Sequence, residues 1–283
     1  MISIIICSRT KAISTTLFEN IEVTIGCAYE LIVIDNSENK YSIFEAYNLG
    51  IEKSKEDYLC FIHEDILFHT KGWGTVIQLI FDENKKIGLV GVAGAKIKTK
   101  MASAWWDCPE DQKVLNVIQH FDNKEKERWS YGFEKEKNVE VVAIDGVFMA
   151  MRKDNRIRFS TDMIGFHNYD LNISFEYIKK GYKIIVTSEI KLEHFSIGTI
   201  NEAWLDSAYK IHYLYKGILP LNINKIKVNR NLEQINAIRF IEECLKYKQV
   251  KKAIVIWKDL FIMYPISKYH FKFWKRIVKN KLC

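Results

Sequence analysis

Three short polar groups in this sequence each follow a run of apolar residues: Cys7-Ser8-Arg9, Asp35-Asn36 and Glu64-Asp65. Of these, Glu64-Asp65 carries the clearest chemistry. Adjacent carboxylates suit a hard divalent cation, Mn2+ or Mg2+, that bridges phosphate groups while taking only one or two protein carboxylates as ligands. Neighbouring residues on an extended chain point to opposite sides. Asp65 is therefore expected to take the metal and Glu64 to face a sugar or ribose. An isolated Glu-Asp pair reads as a solvated acidic turn. Its place at the end of an apolar run, with two other polar groups placed alike, reverses that reading.

Further residues could join the same chemistry. Asp35 can accept hydrogen bonds from a ribose hydroxyl or a base N–H, or form an Asx turn with Asn36-Ser37. Asn48 shares a helix face with Phe44 and Ile51, and a buried Asn needs partners, from a ligand or a neighbouring loop. Asp170 opens a helical stretch, where a carboxylate is a favoured N-cap and the helix field is expected to lower its pKa. Held ionised, it could accept a proton from an attacking hydroxyl. His167 is either a second polar contact or a packed loop histidine. His194, in Glu193-His194-Phe195-Ser196, could complete a metal shell as neutral imidazole if its loop folds back over a phosphate site. Trp105-Trp106 could stack on a sugar ring, although an anchor for a long loop is the preferred reading. Gly146, after Asp145, would admit a substrate close to the backbone or only permit a tight turn.

The elements that must position these groups follow from periodicity. Ile2–Cys7, Glu30–Asp35 and Tyr58–Ile62 are short, continuous, largely β-branched or aromatic runs, which read as buried strands. Between the last two, residues 42–55 place Phe44, Tyr47 and Ile51 at helical spacing. Strand, helix, strand implies right-handed crossovers and a mostly parallel sheet in an α/β fold. Further strands are expected over 87–92, 139–144, 147–152 and 183–186, and a helix over 170–180 closed by Gly181. Residues 102–138 read as polar and irregular apart from the two tryptophans, and beyond about Leu205 the chain reads as helices. In such a sheet, ligands bind beyond the carboxyl ends of the strands. That rule gathers Ser8, Arg9, Asp35, Glu64 and Asp65 on one rim.

Composition narrows the class. With 48% hydrophobic residues in 283, the chain has ample apolar surface to fold. The net charge of +7 is uneven. From Lys246 to Cys283 there are eleven lysines and arginines against one acid, Asp259, so the remainder is slightly acidic. A nucleic-acid footprint across the body is thereby disfavoured. The six cysteines are scattered without a CxxC pair, which argues for free thiols and against a cysteine zinc site. No basic leader is evident, and no apolar stretch reaches about 18 residues without charge. A cytoplasmic protein is expected. Its tail is either an ordinary helical extension with solvated lysines or a peripheral contact with an anionic membrane.

Taken together, Ile2–Arg9, Leu31–Asn36, Ala46–Ile51, Tyr58–Ile66 with His63-Glu64-Asp65, Asp145–Phe148, Gly165–Asp170 and His194-Phe195-Ser196 resemble glycosyltransferase family 2. Within it they look like the streptomycin-biosynthesis-type branch. The resemblance covers roughly the first 200 residues, in the family's order. It implies a Rossmann-like GT-A domain over 1–205, with a basic, aromatic-rich helical extension over 206–283. It also implies inverting transfer of a sugar from a nucleotide-sugar, a UDP-sugar foremost, to a glycan or lipid-linked acceptor in surface polysaccharide or glycoconjugate synthesis. By position, Ser8, Asp35 and Asn48 would hold the nucleotide. Asp65 would be the last acid of the family's DxD metal motif, His194 its late metal-side histidine, and Asp170 its general base. Two positions depart from the pattern: His63 replaces the first acid of DxD, and Tyr169 replaces the acid before the base. These departures keep open a catalytically silent nucleotide-sugar or carbohydrate-binding protein on the same fold. A metal-dependent nucleotidyltransferase is less well supported, because the Gly-rich signal it favours is missing.

Overall fold

A computed structural model of the chain describes residues 1–224 and 228–281. In its first half, strands β1 (Ile2–Ser8), β2 (Tyr29–Asp35), β3 (Tyr58–Ile62), β4 (Ile66–Phe68), β5 (Ile87–Gly91), β6 (Ala93–Ala95) and β7 (Ile97–Lys98) are interleaved with helices α1 (Thr15–Thr24), α2 (Ile43–Lys53) and α3 (Trp73–Glu83). There follow β8 (Lys113–Phe121), β9 (Lys124–Tyr131), β10 (Asn138–Val141), β11 (Ala143–Ile144), β12 (Phe148–Arg152), α4 (Tyr169–Lys179), β13 (Lys183–Thr187) and β14 (Leu192–His194). The chain closes with α5 (Glu202–Leu214), β15 (Leu221–Asn222), α6 (Arg230–Lys246), α7 (Val250–Met263) and α8 (Lys268–Lys281).

The main sheet has the order β10-β13-β5-β12-β3-β1-β2. Strands β2, β1, β3, β5 and β13 run one way, while β12 and β10 oppose them. The mostly parallel α/β sheet expected from the sequence is the one observed. β1 is buried along nearly its whole length, which is why it reads as an unbroken apolar run. Helix α2 starts on a capping box between Ser42 and Glu45, satisfying two otherwise orphaned N–H groups. It lies so close to β1 that a Cβ on Gly50 would meet Ile5 at 2.3 Å.

A second sheet, β11-β6-β8-β14-β4 with β9 paired to β8, packs beside the first. It corrects the expectation of an irregular stretch over 102–138, since β8 and β9 form a long hairpin there. β9 (KEKERWSY) is an exposed edge strand. It buries too little to leave an apolar signature, and its charges suit an edge. The strand expected over 139–144 is likewise two strands, β10 and β11, in different sheets. Helices α1 and α3, unread in the sequence, bury Leu17 and Ile21, and Trp73 and Ile77.

The carboxyl-terminal helices form their own core around Phe240, Ile241, Ile256, Leu260 and Phe273. Trp106 packs partly against both this cluster and the main core. Helix α6 clamps the intervening loop. Glu233 accepts from the backbone N–H groups of Lys100 and Met101 at 2.8 and 3.0 Å. The Asn236 amide donates to Thr99 Oγ1 and the Asp107 carbonyl. The boundary expected at residue 205 falls inside α5. Cys283 lies outside the described residues.

Candidate active site

The registers assemble the rim. Ser8 pairs with Asp35 across β1 and β2, and Phe148 pairs with Ile62 across β12 and β3. The ends of β1, β2 and β3 and the start of β12 therefore meet at one edge of the sheet. β14 pairs with β4 so that His194 lies opposite Ile66, and Phe195 N–H donates to the Asp65 carbonyl at 3.0 Å. A residue some 130 positions downstream of Asp65 thus becomes its neighbour.

Glu64 and Asp65 turn to different neighbours. Glu64 accepts from Ser8 Oγ at 2.8 Å and from Arg9 Nε at 2.5 Å. It ties the loop after β1 to the end of β3, and leaves the Arg9 side chain 79% exposed at the cleft mouth. Asp65 Oδ1 lies 3.7 Å from His63 Nδ1 and 3.8 Å from His194 Nε2. Those distances exceed hydrogen-bond range. One donor atom from each of the three residues falls within 4.8 Å of the others, close enough to share one cation. Both imidazoles are held by their far nitrogens. His63 Nε2 meets the Tyr169 hydroxyl at 2.5 Å, and His194 Nδ1 meets Gln119 Oε1 at 3.1 Å. Such outer partners fix ring orientation and leave the inner lone pair for a metal. Burial and neighbouring His194 push the His63 pKa down, favouring neutral imidazole. Burial would raise Asp65, but the Ser196 hydroxyl and the two histidines outweigh it and hold the carboxyl below its usual value.

Next to His194, Glu193 accepts from His69 at 2.8 Å, Lys126 at 2.7 Å and also His120. Burial acts against its ionisation, yet these donors pull its pKa down to about 2. This ion cluster anchors β14 beneath the site. It leaves no local signature, because its members come from three separated segments.

Asp170 departs from expectation. The helix starts at Tyr169 with Asn168 as N-cap in the left-handed region (φ 59°), so Asp170 sits within the first turn. Its pKa is raised, to about 7, rather than lowered. Desolvation is the main cause, repulsion by Asp145 adds to it, and the backbone N–H donors of Leu171, Asp170 and Gly146 only partly offset them. Burial outweighs the helix field here.

Other expected residues are distributed unevenly. Asp145 is bound by Trp105 Nε1 at 2.9 Å and by Val147 N–H at 2.8 Å. Trp105 is buried, so it anchors its loop, while half-buried Trp106 borders the cleft. Gly146 serves a protein contact, since a Cβ there would lie 2.3 Å from the Tyr169 hydroxyl. His167 lines the cleft, and its carbonyl accepts from Ser207 Oγ at 2.7 Å. Asp35 stands exposed at its strand end and accepts from Ser37 N–H in the Asx turn. Asn48 is not brought to the cleft. Its amide donates to the Phe159 carbonyl at 2.9 Å and accepts from Phe159 N–H at 3.0 Å, tying α2 to a loop.

Three cavities adjoin at this rim. One of about 370 Å3 is bordered by Ser8, Arg9, Asn36, Glu64 and Asp65. A second of about 180 Å3 is bordered by Asp170, Asp145, His167 and His194. These two share His63, Phe166, Tyr169 and Ser196. A third, about 580 Å3, opens from the second between the β8–β9 hairpin and residues 196–200.

A model of the glycosyltransferase-like family matches residues 3–214. The chain belongs to that glycosyltransferase-like family. Its match takes in every rim residue described above and ends with α5. No curated protein matches the sequence. Among solved structures, S. aureus TarS (residues 1–349) in complex with UDP-GlcNAc has a TM-score of 0.44 and 10% identity, covering 93% of this glycosyltransferase-like chain and 72% of TarS. GalNAc-T7 with UDP, GalNAc and Mn2+ has a TM-score of 0.49 and 12% identity, covering 94% of this chain and 58% of its own. Among the described residues no helix is long and apolar enough to cross a membrane.

Proposed function

We propose that this chain is an inverting, metal-dependent glycosyltransferase on a GT-A scaffold, within the branch resembling streptomycin-biosynthesis enzymes. It takes a nucleoside-diphosphate sugar, a UDP-sugar foremost, and delivers the sugar to an acceptor hydroxyl in surface polysaccharide or glycoconjugate synthesis. One observation carries the reading: the His63, Asp65 and His194 group and the Asp170 carboxyl border adjoining cavities with a shared wall. Residues 1–205, which carry that wall, form the transferase domain, and 206–283 the extension.

The donor set fits a divalent cation. Two imidazoles and one carboxylate favour Mn2+ over Mg2+, which prefers oxygen ligands. When bound, the ion would offset the negative charge that develops on the departing diphosphate. The protein's own residues do the rest. Ser8, Arg9 and Glu64 form the wall for the nucleotide, with Arg9, bound through Nε to Glu64, offering its remaining N–H groups to phosphate. Tyr169 holds the His63 ring. Asp170, with its pKa near neutrality, accepts the proton of the acceptor hydroxyl as that oxygen attacks. Residues 196–200 border the cleft and act as its cover.

The tail belongs to the same reading as a contact with an anionic membrane. Ile262, Ile266 and Phe271 are 79%, 97% and 78% exposed, and Trp274 is 41% exposed. Lys258, Lys268, Lys272 and Lys275, on α7 and α8, are also exposed. Exposed apolar and cationic side chains together complement an anionic lipid surface.

A thermal-shift screen of UDP-, GDP-, CDP- and dTDP-sugars, with and without Mn2+, tests donor binding. Slow metal-dependent hydrolysis of the stabilising donor separates a transferase from a silent binding protein. Binding without any turnover would favour the latter.

A further inference from the structure

The cavity between the β8–β9 hairpin and residues 196–200 is lined mostly by aliphatic and aromatic side chains. Side chains alternate along a strand, and the residues of β8 that face the cavity include Leu115, Val117 and Phe121. Across the pair, Tyr131 lies opposite Leu115 and Trp129 opposite Val117, so β9 extends the same apolar floor. Ile197 and Ile200 form the facing wall.

Several of the polar groups at its edge already have protein partners. Gln119 donates to the carbonyls of His120 and Ser196 at 2.9 and 2.7 Å and holds His194. Asp145 is bound by Trp105 and Val147. Lys113 and Glu110 pair at 2.5 Å. A polyhydroxylated ring buried against this floor would find few partners for the water it loses, at a cost for each unmatched hydroxyl. An apolar group would meet no such cost. The cavity is also continuous with the one holding Asp170, sharing Trp105, Trp106, Asp145, His194 and Ser196. Its occupant is therefore joined to whatever presents the attacking hydroxyl.

We propose that this cavity holds an apolar portion of the acceptor, an alkyl or aryl group attached next to the sugar or alcohol that is glycosylated. The proposal rests on the transferase reading for the role of the occupant, but its test reads binding directly. Glucose, phenyl β-glucoside, hexyl β-glucoside and octyl β-glucoside, the last two below micelle formation, are titrated against the full chain by calorimetry and tryptophan fluorescence. Affinity is expected to rise from glucose to the glycosides, by roughly threefold to fourfold for each methylene buried. A phenyl preference would assign an aryl acceptor, and a rise from hexyl to octyl an alkyl one. Equal affinity for glucose and all glycosides overturns the proposal.

Two variants locate the binding. Ile197→Asp alters a residue 47% exposed in the unpaired chain after β14, so the fold is expected to survive. It should abolish the chain-length dependence while the far-UV circular dichroism of the native chain is retained. Phe271→Ser, in the exposed tail, should leave the chain-length dependence unchanged. The reverse pattern would place alkyl binding on the tail and overturn the assignment. Absence of any nucleotide-sugar shift in the native chain would count against the transferase reading alone.

Discussion

The Tyr169 hydroxyl lies 2.5 Å from His63 Nε2, and this bond joins the helix that carries Asp170 to the strand end that carries Asp65. The resemblance implies acids at both positions, and the two residues that stand there instead meet each other. A neutral His63 whose Nε2–H donates to the Tyr169 hydroxyl keeps Nδ1 for a cation, and Tyr169 packs where Gly146 leaves room. The departures thus form one coupled unit of the site.

Asp170→Asn is expected to lower kcat by ~10²–10⁴-fold, the usual worth of a general base, with donor affinity unchanged in a thermal-shift titration. Equal loss of binding and turnover would show a structural role.

The native pH–rate profile should rise through about 7 as the Asp170 carboxyl ionises. Stability moves the opposite way. Because the folded-state pKa is raised, this group's contribution is full below its ordinary value of 3.8 and is lost as pH rises through about 7. Asp170→Asn should therefore melt higher than the native chain at pH 8, with the difference closing near pH 4. A melting point that falls equally at both pH values would contradict the assignment.

Turnover should stop in excess EDTA and return more fully with Mn2+ than with Mg2+, as expected for two imidazoles and one carboxylate. Full activity in the chelator would remove the metal from the mechanism. Equal rescue by Mg2+ would argue that the histidines are not ligands.

Gln119→Leu removes the acceptor that orients His194 Nδ1–H. Metal affinity should fall roughly 10- to 100-fold, the usual effect of losing an outer partner, read as a shifted Mn2+ titration midpoint with the fold intact by circular dichroism. An unmoved midpoint would mean that His194 is held by packing alone.

Gly146→Ala would force a methyl group against the Tyr169 ring. Overpacking of this kind costs about 1–3 kcal/mol. Here it should also weaken Mn2+ binding through His63. Destabilisation without any change in the Mn2+ midpoint would uncouple Tyr169 from the metal site.

The chain should co-sediment with anionic but not zwitterionic vesicles. Removing one of Lys268, Lys272 or Lys275 should reduce partitioning roughly fivefold, from about 1 kcal/mol per cation. Indifference to lipid charge, or self-association through the same patch, would reject the membrane contact.

Sequence by itself determined the scaffold and its rim. Buried parallel strands must be apolar on both faces, so β1, β2 and β3 announce themselves, and the polar residues that follow them fall at ligand-binding ends by the geometry of the fold. What sequence could not set was each side chain's partner and dielectric surroundings. Asp170 reads as an ionised helix-start carboxylate until tertiary packing removes its water. Asn48 reads equally as a ligand contact or a tie to a neighbouring loop until Phe159 takes both halves of its amide. The polar edge strand β9 has no local signature because pairing with β8, rather than burial, makes it a strand. His63 joins Asp65 and His194 only because β14 lies against β4, a long-range pairing that local periodicity does not encode.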